Sequence, residues 1–211
     1  MKKIFVFIKD VPNTDKIKID HEKGVLKRET AKTIINPPDE TAIYFALKLK
    51  KELDFHISAF CMGPYQSIEK LKSVLSLGFD QACFITSPTF AGSDTLATAT
   101  VLKQAAIKLG KADLYFFGSH SLDGDTGQIP GEFCELMNIP SVSCASHFFI
   151  NNDKIHIFQN LEEKRELECD FPIGISFLED KKRKMPLISA KSYFQNKKIQ
   201  IFSEKELGLE P

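Results

Sequence analysis

The 211-residue sequence predicts a doubly wound α/β fold: a mainly parallel sheet with helices on both faces, and an antiparallel extension toward the C-terminus. Three observations predict it. Apolar, β-rich runs alternate with amphipathic helical patterns as far as residue 139, Gly or Pro punctuates the changes, and after Pro140 helical spacing stops while strand-like runs continue. Strands linked through helices are expected to be parallel, because a parallel neighbour needs a right-handed crossover.

Residues 2–9 read as a buried first strand, closed by Asp10, Pro12 and Asn13. Lys16-Ile17-Lys18-Ile19-Asp20 alternates with period two and runs into a turn at Glu22-Lys23-Gly24, the pattern of a hairpin arm outside the main sheet. Asn36-Pro37-Pro38-Asp39-Glu40 starts a helix, with proline in its first turn and acids at its positive end, and Ala42, Ile43, Ala46, Leu47 and Leu49 carry it on. A strand over 55–62 is closed by Gly63-Pro64, and a helix over 66–77 packs Ile68, Leu71, Val74 and Leu75 before Gly78 stops it. A third strand over 81–86, a helix over 94–109 ended by Gly110, a fourth strand over 112–118 and a helix around 131–137 complete the alternation. Strand-like pieces at 142–150, 154–159, 165–169 and 173–177 make the antiparallel extension. The basic run 181–184 and the apolar Ile199-Gln200-Ile201-Phe202 follow, which divides the chain into an α/β domain, 1–178, and a basic loop with a C-terminal segment, 179–211.

Composition narrows the function classes. With 28 basic and 28 acidic residues the formal net charge is zero, so no global field favours nucleic acid. No run approaches the roughly 20 apolar residues of a membrane-spanning helix, and the N-terminal apolar run is too short for a signal peptide or anchor. The five cysteines lack a C-x-x-C pair, so neither a disulfide framework nor a zinc site is expected, and the chain reads as reduced and cytoplasmic. Nucleophile elbow, zincin, Walker and G-x-G-x-x-G motifs are all missing, so no catalytic residue is assigned, and the five histidines show no metal-ligand spacing.

The informative segment follows the fourth strand: Asp123-Gly124-Asp125-Thr126-Gly127-Gln128, just before a helix. Glycines let a backbone turn tightly and approach a ligand, and unpaired amides at a helix N-terminus hold phosphate. The aspartates would repel phosphate, so capping or ribose-hydroxyl roles fall to them, while the amides and Thr126 take the phosphate. A capped, Asp/Gly-rich surface turn is the plainer alternative. Gly92-Ser93-Asp94-Thr95-Leu96-Ala97-Thr98 opens the preceding helix, with Thr95 and Thr98 on one face; ligand contact and simple capping by Ser93 or Asp94 both remain open. His120 borders the same loop, either as a ligand contact or as a solvated side chain. These segments and Asn36 all fall at the carboxyl edge of the expected sheet, where ligands of such folds sit.

In order, Ile4-Phe5-Val6-Phe7-Ile8-Lys9-Asp10-Val11-Pro12, Ile35-Asn36-Pro37-Pro38-Asp39-Glu40, Met62-Gly63-Pro64, Leu77-Gly78-Phe79-Asp80, the 90–98 segment and the 123–128 loop resemble the small (beta) subunit of electron transfer flavoproteins over nearly the whole chain. The resemblance implies a heterodimer whose large (alpha) subunit carries the electron-transferring FAD, fed by flavin-dependent dehydrogenases and drained by a quinone oxidoreductase or similar acceptor. It implies a second adenine nucleotide in the small subunit: AMP in ordinary members, a second FAD that accepts hydride from NADH in bifurcating ones. Carried onto this sequence, the pocket takes in Phe7, Asn36, Pro37, Pro38, Asp39 and Met62. It continues through His120, Ser121, Leu122, Asp123, Gly124, Asp125, Thr126, Gly127, Gln128, Ile129, Pro130 and Gly131, with Thr95 and Thr98 beside it. AMP is the first expectation; FAD in this pocket, or a free-standing adenine-nucleotide module, are the alternatives. Leu187, after Met185-Pro186, matches the leucine that family members anchor in a partner dehydrogenase. The segment 189–196 departs from the usual lysine-rich helix, and the sequence stops where members usually continue into an arm around the large subunit, so a short or divergent member is expected.

Overall fold

The computed structural model describes residues 1–13, 19–20, 25–26, 32–183, 185–186 and 198–209. Strand β1 (Lys3–Ile8) alternates its side chains between two cores. Ile4, Val6 and Ile8 point to one, Phe5 and Phe7 to the other, and a strand buried on both faces must be apolar throughout. Two short antiparallel pairs follow, β2 (Asp10–Pro12) with β5 (Thr33–Ile35) and β3 (Ile19–Asp20) with β4 (Val25–Leu26). The latter is the expected hairpin arm outside the main sheet, although 14–18 and its turn at 21–24 lie outside the described residues.

Helix α1 (Pro37–Leu53) takes proline in its first turn, acids Asp39 and Glu40 at its positive end and Lys50 and Lys51 in its last turn, in accord with the helix dipole. Then come β6 (His56–Met62), α2 (Ile68–Ser76), β7 (Gln81–Ile85), α3 (Thr95–Leu109), β8 (Leu114–Gly118) and α4 (Ile129–Met137). The last elements are β9 (Ser141–Asn151), β10 (Lys154–Asn160), β11 (Lys164–Cys169), β12 (Ile173–Phe177), β13 (Lys198–Phe202) and a one-turn helix, Glu204–Leu207. No described helix is long and apolar enough to cross a membrane.

These strands build one nine-stranded sheet in the order β11-β10-β9-β12-β8-β1-β6-β7-β13. Helices α1 and α2 cover one face and α3 and α4 the other, each sealing its own apolar cluster. The antiparallel extension is β9–β11. Residues 173–177 depart from expectation: β12 is not part of that extension but runs parallel to both β8 and β9 near the middle of the sheet. Its five residues are all buried, the mark of a strand covered on both faces, whereas β10 alternates. Strand β13, from the C-terminal segment, pairs in parallel with β7 and forms the other edge of the sheet.

The order β7-β6-β1-β8 reverses direction at β1: from β1 the chain winds outward through β6 and β7, then crosses back to β8 on the other side. At such a switch point the two crossovers leave in opposite directions and a crevice opens beyond the carboxyl ends of the strands.

Candidate functional site

A cavity of about 880 Å³ lies at that switch point. Its floor is aromatic: Phe7 from β1, Phe60 from β6 and Phe117 from β8, with the Phe7 and Phe117 rings stacked at 4.5 Å. One wall is the loop from β8 to α4; the opposite wall comes from Met62–Tyr65 and the segment 86–95.

Asp39 organises the near end. It lies in the first turn of α1, 5% exposed, beneath the ends of β1 and β8. Its Oδ2 accepts from the Lys9 amide at 2.7 Å, and its Oδ1 accepts from the Gly118 amide at 3.1 Å and from Asn36 Nδ2 at 2.9 Å. Burial pushes the Asp39 carboxyl up to about 7, against the pull of these donors and of the Lys9 charge. Gly118 has no room for a side chain: a Cβ there would run into the Asp39 carboxylate and reach 2.8 Å from Pro38 Cβ.

Asn36 passes this order on to the loop. Its Nδ2 donates to His120 O at 2.7 Å and its Oδ1 accepts from Leu122 N at 3.1 Å, so one buried amide grips the loop at two points. Further along, Asp125 N donates to Ser121 O at 2.8 Å, and Asp125 and Gly127 both adopt positive φ. Gly127 needs that conformation, and a Cβ there would come within 3.0 Å of Ser119 O. Helix α4 then starts with no side-chain cap at Gln128, which leaves its first amides to solvent or a ligand.

Among the described residues, the charged groups at the cavity are few. Lys9 Nζ bridges to Asp123 Oδ1 at 2.7 Å. Burial works against the Asp123 charge, but the Lys9 ammonium and the Ser121 hydroxyl outweigh it and hold this carboxyl below the usual range. His120 turns Nδ1 to Ser119 Oγ at 2.9 Å, with Nε2 3.8 Å from Asp125 Oδ1. The Thr95 hydroxyl, with one proton, lies 3.1 Å from Gln128 Oε1 and 3.0 Å from Glu132 Oε1, tying α3 to α4; the Thr98 hydroxyl is used within its own helix, on Asp94 O.

Of the residues expected here, Phe7, Asn36, Asp39, Met62, Thr95, Thr98, His120, Ser121, Gly124, Thr126 and Gly127 through Pro130 line the cavity. Pro38, Leu122, Asp123, Asp125 and Gly131 stand behind or beside the wall, and Pro37 lines a separate cavity of about 370 Å³ with Glu40, Glu179 and Arg183. Leu187 lies outside the described residues. The expectation omitted Lys9, Phe60, Phe117 and the wall from Ser87 to Ser93. Position was the available signal for Lys9: a residue just beyond the end of a central parallel strand sits at the ligand-binding edge.

The cysteines stay out of this chemistry. All five are free thiols, and burial pushes Cys61 and Cys134 up to about 12 and Cys83 higher still.

Residues 23–170 match the sequence model of the electron transfer flavoprotein domain. The chain is 36% identical over 178 residues to the electron transfer flavoprotein subunit beta of Clostridium acetobutylicum, covering 84% of this chain and 68% of the relative. It is 34% identical over 182 residues to the acryloyl-CoA reductase electron transfer subunit gamma of Anaerotignum propionicum, covering 85% and 68%. It is 30% identical over 213 residues to the caffeyl-CoA reductase-Etf complex subunit CarD of Acetobacterium woodii, covering 99% and 81%.

Proposed function

We propose, since this chain belongs to the electron transfer flavoprotein family as a beta-type subunit, that its switch-point cavity binds an adenine nucleotide, AMP, and that it supports an FAD-bearing alpha subunit. The assembly would pass electrons from flavin dehydrogenases to a quinone reductase or comparable acceptor. Flavin supplies the redox chemistry in such a carrier, and this chain's residues bind and orient. The observation that carries the reading is the clamped loop: Asn36 fixes residues 120–122, and the chain beyond presents glycine backbone, Thr126 and the uncapped start of α4 to one cavity. Amides of 124–129 and Thr126 suit a phosphate, while Phe7, Phe60 and Met62 offer a flat base an apolar surface.

Cavity size favours a second reading. The volume of about 880 Å³ is near the top of the roughly 300–1,000 Å³ range of small-molecule sites, and the cavity extends past the nucleotide loop to Tyr65 and Phe90. FAD in place of AMP would use that extension, and the complex would then take hydride from NADH.

Release and mass identification of the small molecule that co-purifies with this chain, expressed with its alpha subunit, tests both. AMP with one FAD per dimer is the expected result. Two FAD per dimer would favour the second reading, and a chain that binds neither nucleotide nor alpha subunit would overturn the proposal.

A further inference from the structure

Lys9 is, among the described residues, the one Lys or Arg on the cavity wall, and two carboxylates, Asp39 and Asp94, share that wall with it. An anionic ligand therefore enters a site whose one local cation is already engaged by Asp123. The backbone of Lys9 is held on both sides: its amide donates to Asp39 at 2.7 Å and its carbonyl accepts from Asn36 N at 2.9 Å. The Cα is fixed and only the four-carbon stem can swing. The ammonium end is not a buried structural pair, because the Lys9 side chain is 43% exposed and Asp123 36%, and ion pairs this open contribute little. Exchanging Asp123 for a phosphate thus costs little and provides a partner of greater charge.

We infer that Lys9 makes the cavity select phosphorylated adenine ligands, its ammonium leaving Asp123 for the ligand's phosphate. This rests on the nucleotide reading above. The atoms involved fix what each substitution does. Lys9→Gln keeps a shorter polar side chain and both main-chain hydrogen bonds but removes the charge; Lys9→Arg keeps the charge; Asp123→Asn removes the competitor and leaves the ammonium unpaired.

Calorimetric titration of the full chain, stripped of endogenous nucleotide, with AMP and separately with adenosine tests it. The wild type is expected to prefer AMP, Lys9→Gln to weaken AMP binding by about tenfold or more while adenosine changes little, and Lys9→Arg to keep most of the preference. Asp123→Asn is expected to bind AMP more tightly, and this arm stands even if Lys9→Gln folds poorly. A preference for AMP that survives in Lys9→Gln, an equal loss of both ligands, or weaker AMP binding by Asp123→Asn would overturn the inference while leaving the nucleotide reading intact. A wild type that binds neither AMP nor adenosine would overturn both.

Discussion

Asp39 shows how one side chain can order a site it only borders. Its carboxylate collects donors from the end of β1, the end of β8 and the residue before α1, so the loop's starting geometry depends on an acid in the core. Burial raises this group from its ordinary value of 3.8 to about 7, so the folded protein holds a proton there that the unfolded chain releases. The stability it confers is fully present below about 3.8 and is lost as pH rises through about 7. Asp123, whose carboxyl is lowered, works in the opposite direction, so the comparison must be with a variant that changes Asp39 alone. Urea unfolding of wild type and Asp39→Asn at pH 4.5 and 7.5 is the check. The wild type is expected to lose several kcal/mol relative to the variant across that window, at about 1.4 kcal/mol per unit. A difference between the two proteins that does not change with pH would refute the linkage. Sequence reading reached Asp39 as a helix-start acid and a pocket residue, but its role depends on Gly118, 79 positions away, which no local pattern reveals.

At the scale of elements, local periodicity foretold the alternation through β8, because helices with one apolar face and strands buried on both faces write distinct patterns. Strand β12 was misjudged by its neighbours: three preceding strands form an antiparallel meander, and proximity in sequence suggested a fourth. Its own uncharged run, Ile173-Gly174-Ile175-Ser176-Phe177, was the better guide, since parallel strands are covered on both sides. Gly174 records how close that cover is: a Cβ there would collide with the Cys134 sulfur from α4. Gly174→Ala is therefore expected to destabilise the fold by about 1–3 kcal/mol, measurable as a lowered denaturation midpoint with unchanged m-value. A variant as stable as the wild type would show that α4 sits more loosely on β12 than its geometry indicates. The antiparallel strands differ: β9 and β10 turn one face to α1 and stack His147 on Phe158 and Phe149 on His156 on the other. The sequence marked both as strand-like pieces of an antiparallel extension, and the fold adds that only one of their faces is covered.

For the molecule as a whole, the edge of the sheet that carries the site followed from topology alone, and the loop at 123–128 from its glycines and acids. What the sequence could not supply was depth. Of the aromatic floor, Phe7 was reached only through the family resemblance, while Phe60 and Phe117 come from strands that look like ordinary core, and no local pattern marks residues 87–91 as the far wall. We propose that one ligand site, formed by the Lys9–Asn36–Asp39 junction and the 118–130 loop, is this chain's working part. Amide hydrogen exchange of the full chain with and without saturating AMP tests it most directly. Slowed exchange is expected in residues 118–130, at Lys9 and in the facing wall at 62–65 and 86–95, with the β9–β11 strands unchanged. Protection that falls on those strands or on the C-terminal edge, with none in the 118–130 loop, would contradict it.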